Sequence, residues 1–466
     1  MSDTTVVEFS VTEESAVRAR IAAALNHAVF GSLILLLVGS AIPYGTAEPW
    51  WKAAFVSATF AICIVAILES MLSGEVSIGG STGILLSMLT ICGFALLQTV
   101  TIRAGNPDPA VSALGPWNAI SADPYQTRFV VLQLLALTTC LTLLYRYCRT
   151  ELRINVLIHA IIAVAVASAL FGILRQTVQH QPGFVLPRTL PGLGYGQFLN
   201  KNHFAYLMEM ALGLSLGMGV VNGLKRERVI IYLALLLPIW TGLVLSISRG
   251  GILAMVAQVM VASILLTSRS LNPELKGESV GPERSRLVRI ALLVSLVAII
   301  LVGTVWVGGD RLVSTFSAAR TEFSPDPDRL LAGATRNEIW RASWKMFTAH
   351  PILGVGLGGY WIAITAYHDA SGTMTPQQAH NDYLELLTSG GLIGFAIGIW
   401  FVVALFRSIR TNLFARDRFQ RAICFAALLG ITGVAVHSLV DFGLHLLVNA
   451  FVFIALVMLA TTKIKA

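Results

Sequence analysis

INVLIHAIIAVAVASALFGIL, residues Ile154–Leu174, carries no charged side chain from end to end and follows the basic cluster Arg146, Arg149 and Arg153. A bilayer core needs about 20 consecutive apolar residues per helix, so this stretch is long enough to span one. Comparable runs recur on both sides of it. The expected spans are 28–46, 51–70, 82–102, 128–147, 154–174, 203–222, 229–247, 251–268, 288–307, 389–407, 420–438 and 443–461. Lipid leaves backbone N–H and C=O groups no partner outside a helix or a closed barrel, and these runs are too long for barrel strands. The expected fold class is therefore all-α, a polytopic membrane protein of about 12 helices.

Composition agrees. The chain of 466 residues is 55% hydrophobic and 12% charged, with a mean hydropathy of +0.74. A soluble chain has about a quarter of its residues charged. The net charge of +8 raises the question of nucleic acid, but Lys and Arg sit in short clusters between apolar runs. That pattern fits basic cytoplasmic loops and no nucleic-acid partner. Cys63, Cys92, Cys140, Cys148 and Cys424 fall in or beside apolar segments, so they imply no disulfide framework.

With the N-terminus in the cytoplasm, the inside segments hold 20 of the 33 Lys and Arg residues, mostly in short loops where the charge rule operates. Glu8, Glu13, Glu14, Arg18 and Arg20 precede the first span, which reads as a retained helix and not a cleaved signal. The expected organisation is a cytoplasmic tail over 1–27, nine spans over 28–307, a large outside loop over 308–388 and three spans over 389–466. The loop carries Trp340, Trp344, Phe347, Tyr360, Trp361 and Tyr367, too many aromatics for a disordered segment. Within it Thr335–Ala349 predicts a helix that ends at Pro351, with Ile339, Trp340, Phe347 and, as the fourth candidate, Trp344 on a buried or interfacial side.

Three polar clusters fall on the outside face. His380-Asn381-Asp382-Tyr383-Leu384-Glu385 sits where the long loop meets the tenth span. A histidine there can titrate near neutral pH, and helix capping beside Asn381 is the simpler alternative. Ser248-Arg249-Gly250-Gly251 forms a tight hairpin whose Arg249 is the lone charge between Arg228 and Arg269. A guanidinium matches phosphate bidentately, although snorkelling to headgroups is the commoner fate of such a residue. Asn200-Lys201-Asn202-His203 follows Arg188 and opens the sixth span, where a helix start can hold an anion or simply be capped by an Asn. His437, Asp441 and His445 recur at intervals of four, but Gly443 and the reversal of the chain argue against a shared metal-binding face. Gly354-x-Gly356-x-Gly358-Gly359 lacks the strand and helix of a dinucleotide site. Glu209 lies two turns into the sixth span and is expected to face the protein interior, with no role assigned.

Taken together, His350-Pro351-Ile352-Leu353-Gly354-Val355-Gly356, His380-Asn381-Asp382-Tyr383-Leu384 with Gly390 to Gly394, Ser248-Arg249-Gly250-Gly251, Asn200-Lys201-Asn202-His203-Phe204-Ala205 and His437-Ser438-Leu439-Val440-Asp441-Phe442 resemble the O-antigen ligase and polymerase superfamily. The resemblance covers about residues 190–450. It implies a bacterial inner-membrane glycosyltransferase, acting at the periplasmic face on an undecaprenyl-diphosphate-linked glycan donor. The acceptor would be lipid A core for a ligase or another lipid-linked glycan for a polymerase. No cofactor and no metal are implied. On that reading His380 is the base, Arg249 the main cation for the departing diphosphate, and Arg188, Asn200, Lys201, Asn202, Arg336, Asn381 and Asp382 contact substrate. A transporter or flippase for lipid-linked glycan is the alternative.

Overall fold

The computed structural model of this protein describes residues 4–75, 79–101, 119–178, 193–221, 226–267, 302–304, 309, 335–368 and 376–464. Helix dominates them, and pairing between extended segments is limited to the isolated bridges Thr101–Ala119 and Tyr195–Phe198 among the described residues. The chain runs through α1 (Thr4–Ala41), α2 (Pro49–Ser73), α3 (Thr82–Gln98), α4 (Pro124–Tyr147), α5 (Glu151–Val178) and α6 (Lys201–Val221). It continues with α7 (Arg226–Leu245), α8 (Arg249–Thr267), α9 (Arg336–Ala349), α10 (Asp382–Leu413), α11 (Arg418–His437) and α12 (Leu447–Thr461).

Six of these helices are long and apolar enough to cross a membrane, namely α1, α2, α4, α5, α10 and α11. Helices α3, α7, α8 and α12 are apolar but shorter. The protein is thus a multi-pass, all-helical membrane protein. The expected sixth span is α6, which opens with the polar residues Lys201, Asn202 and His203 and carries Glu209 two turns in. The expected ninth span, 288–307, lies almost wholly outside the described residues, as do Arg188 and the part of the long loop between 310 and 334.

Helix α6 runs through the middle of the bundle, and its side chains from Phe204 to Met210 are fully buried. It meets α11 backbone to backbone. A Cβ on Gly213 would lie 2.4 Å from the Gly430 nitrogen, and one on Gly217 would lie 2.3 Å from the Ala426 Cα. Small residues four apart on each helix permit this approach, as is common between membrane helices. The outer helices present bulky side chains instead, with Leu35, Ile64 and Met71 exposed on α1 and α2.

The loop helix α9 starts at a capping box, in which the Thr335 hydroxyl accepts from the Glu338 N–H and the Glu338 carboxylate accepts from the Thr335 N–H. It buries Ile339, Ala342, Ser343 and Met346, and Trp344 stays exposed. After it, His350–Gly356 docks into a break in α10. Gly391 there has a φ of 61°. The Leu392 and Ile393 N–H groups donate to the Pro351 and Ile352 carbonyls, and the Val355 and Gly356 N–H groups donate to Thr388 and Ser389. The α3 residue Gln98 completes the joint, its Nε2 donating to Leu353 and Ser389 carbonyls at 2.7 and 2.9 Å. The two glycine-bearing motifs are therefore halves of one interlock. A side chain at Gly354 would strike the Ser389 carbonyl, and one at Gly391 the Ile352 carbonyl.

Candidate active site

The starts of α6, α8 and α10, the end of α11 and the turn before α12 converge around Asp441. This carboxylate is 1% exposed. It accepts from the Asn202 Nδ2 amide and from the Phe442 N–H. The Arg336 Nη2 and the His380 Nδ1 each lie 3.6 Å away, near enough for strong electrostatic attraction though beyond good hydrogen-bond length. Burial by itself would raise the Asp441 carboxyl, but His380, His203 and His437 around it hold it well below the usual carboxylate range. The Asn202 side-chain oxygen in turn accepts from Ser248 Oγ at 2.9 Å, which ties in the hairpin of Arg249.

His380 has a φ of 50°, a conformation that costs a non-glycine residue on the order of 1 kcal/mol. Its neighbours fix it on both sides. The Trp340 indole donates to the Ala379 carbonyl at 2.9 Å, the Ala379 N–H donates to Glu385 Oε2 at 2.8 Å, and the Asp382 N–H donates to the Ser438 carbonyl at 2.9 Å. The imidazole stands edge-on to Phe442 with ring centroids 4.7 Å apart. Phe442 also touches the His203 and His445 rings, so three imidazoles surround one phenyl ring. Loop helix, kinked helix and final turn all contribute to the direction in which His380 points.

The other expected residues divide by what their side chains touch. Asn381 caps α10 by accepting from the Tyr383 and Leu384 N–H groups, and Asn200 caps the start of α6 by accepting from the Asn202 N–H. Those two oxygens are committed to backbone. Asn202 and Asp382 reach the polar cluster instead, with Asp382 Oδ2 accepting from Ser438 Oγ at 2.7 Å. Lys201 and Arg249 are half-buried at the first positions of α6 and α8. Arg336 opens α9 and brings the long loop onto Asp441. Arg188 is outside the described residues.

His437, Asp441 and His445 face different partners because the helix ends at His437 and the chain turns through Ser438–Leu446. His437 Nδ1 pairs with Glu209 Oε2 at 2.8 Å in the protein interior and stacks on Tyr206, centroids 4.1 Å apart. His445 Nε2 lies 3.4 Å from Glu385 and 3.6 Å from Asp382. Glu209 thus has a partner that the sequence did not reveal. A lone carboxylate in an apolar helix signalled an interior contact without saying which. The Arg249 hairpin rests on this pair, since a Cβ on Gly250 would lie 2.3 Å from the His437 ring. Gly250 is required there for close approach.

Residues 233–399 match the family model described as O-antigen ligase. The matched segment runs from within α7 to within α10 and holds Arg249, Arg336, His380, Asn381 and Asp382. Asn202, Glu209, His437 and Asp441 lie outside it and pack against it. No curated protein matches the chain.

Proposed function

On the premise that this multi-pass membrane chain carries an O-antigen ligase domain, we propose that it transfers a glycan from an undecaprenyl-diphosphate donor to an acceptor hydroxyl at the periplasmic face of the inner membrane. The observation that carries the reading is the meeting of His380 and Arg336 on the buried Asp441, with the Arg249 hairpin joined to the same carboxylate through Ser248 and Asn202. A base and two guanidinium groups are what a metal-free transfer of this kind requires.

The steps follow from the chemistry. A sugar hydroxyl is a weak nucleophile until a base takes its proton in the transition state. His380 presents Nδ1 to Asp441, so a proton held there leaves Nε2 free to accept. Asp441 fixes the tautomer and stabilises the imidazolium that forms, as a carboxylate does behind a catalytic histidine. The acceptor oxygen then bonds to the anomeric carbon while the bond from that carbon to the diphosphate oxygen breaks, and the electron pair leaves with the diphosphate. Arg249 and Arg336 stabilise that growing charge as preorganised donors. The acceptor is lipid A core or a second lipid-linked glycan, and both would use this machinery.

His380→Ala and Arg249→Ala are each expected to lower glycan transfer by about 100-fold or more, the range seen when a general base or a charge-stabilising donor is removed. The assay is the purified protein in proteoliposomes with lipid-linked donor and acceptor. Wild-type transfer by both variants would overturn the assignment. Movement of donor across the liposome membrane without transfer would favour a flippase.

A further inference from the structure

Helices α1 and α2 do not close on each other along their full length. Between them lies an apolar cavity of about 470 Å³, lined by Leu36, Gly39 and Ser40 from α1 and by Trp51, Phe55 and Ala58 from α2, with Thr46 from the connecting turn. The turn is strained, because Tyr44 and Thr46 are non-glycine residues at φ values of 53° and 63°. It abuts the segment that leads into the Asn200–His203 cluster. A Cβ on Gly45 would lie 2.5 Å from the Phe198 ring, and the Gln197 amide donates to the Ala41 carbonyl at 3.1 Å. One end of the cavity is thus next to the candidate active site.

One polar group lines that end without a partner among the described residues, and a cation follows it in sequence. The Trp51 indole N–H is buried and has no hydrogen-bond partner among the described residues. Lys52, the next residue, is half-buried and has no carboxylate partner among the described residues. An unpaired ammonium away from bulk water is costly unless an anion comes to it. The level of Lys52 follows from packing. Phe55 meets Phe451 with ring centroids 5.7 Å apart, which sets Lys52, one turn earlier in α2, at the level of the first turn of α12 and of the Gly443–His445 turn before it. Consistent with that, burial first and the Lys52 charge second hold the His445 ring below the ordinary histidine range.

We infer that the α1–α2 groove seats part of the prenyl chain of the lipid-linked donor, with Lys52 and the Trp51 N–H binding its diphosphate as it passes towards Asp441 and the arginines. The occupant is argued from charge and shape together: an apolar trough in the lipid-facing surface ends at the Trp51 donor, Lys52 stands one residue further on the side of His445, and an amphiphile with an anionic head satisfies both. The inference rests on the functional reading above for the identity of the donor. It adds a binding residue, Lys52, that lies outside the matched segment and was not among the residues expected from sequence.

The test measures lipid binding separately from transfer. Full-length protein in phosphatidylcholine nanodiscs is titrated with undecaprenyl diphosphate, and with a short-chain prenyl diphosphate as the control. Gly39 has open space around its Cβ position, so Gly39→Leu fills the groove without striking backbone. Ala58→Phe fills it from the other helix. Each is expected to weaken undecaprenyl diphosphate about 10-fold, the equivalent of about 1.4 kcal/mol, and to leave the short-chain compound unchanged. Lys52→Ala is expected to weaken both ligands about 10-fold, and Lys52→Arg to retain them. Unchanged affinity in Gly39→Leu, Ala58→Phe and Lys52→Ala overturns the inference, and so does phosphatidylglycerol that competes as well as undecaprenyl diphosphate. If His380→Ala abolishes transfer while the groove variants bind and transfer normally, the groove falls and the functional reading stands. If binding depends on the groove but wild type transfers nothing, the functional reading falls and the groove stands.

Discussion

Two pairs of helices in this bundle use glycine in opposite ways. On α6, Gly213 and Gly217 bring the backbone of α11 so close that no Cβ fits between them. On α1, Gly31 and Gly39 have nothing within 4 Å of the Cβ position, and α2 stands off far enough to leave a cavity. Lipid tails are as apolar as leucine, so hydrophobic burial does not close such a gap. Only close packing and hydrogen bonding draw membrane helices together. The α6–α11 contact is therefore a rigid platform, and it carries Asn202, Glu209 and His437 in fixed register. The α1–α2 hairpin is a wall that lipid can enter.

The largest expected effect breaks the platform. Gly217→Leu would drive a side chain into the Ala426 backbone, and overpacking of this kind costs about 3 kcal/mol or more. Loss of the monodisperse peak in detergent and a lowered Tm would register it, whereas a wild-type Tm would mean that α6 and α11 can separate. Next comes Asp441→Asn, which keeps the shape and removes the charge behind His380. Transfer is expected to fall by about 100-fold or more, with the protein still folded. Because the Asp441 carboxyl titrates below its unfolded value, it contributes stability in full above about pH 5 and loses it as the pH falls towards the folded value. The stability gap between wild type and Asp441→Asn should thus be present at pH 7 and shrink on acidification. A gap that instead widened in acid would contradict the depressed titration. The smallest effect is expected at Gly31→Ala on the open hairpin, which should shift stability by less than about 1 kcal/mol, towards a more stable helix. A loss as large as that of Gly217→Leu would erase the distinction between the two helix pairs.

Much of the fold was legible because hydropathy is local. The long uncharged stretches, such as Ile154–Leu174, became helices, and the Thr335 start and Pro351 stop of the loop helix were set by capping chemistry within a few residues. Asn200 and Asn381 became caps for the same reason. The site was legible only in pieces. Arg249, Arg336 and His380 were recognisable as unusual residues at one end of the bundle, but their common partner was not.

Sequence alone determined that this chain is an all-helical membrane protein with polar clusters at the ends of its spans, since charge and hydropathy act over single helices. Tertiary structure alone decided that Asp441 sits at the centre and that Glu209 pairs with His437. It also decided that the spacing of His437, Asp441 and His445 does not make one face. Those outcomes depend on where α11 stops, how the Ser438–Leu446 turn reverses, and how closely α6 lets its neighbours approach. The same residue type, glycine, seals one helix pair, where small residues recur four apart on both helices, and lies open on α1, where Leu35 stands between Gly31 and Gly39; which partner each helix meets was decided only by the tertiary structure.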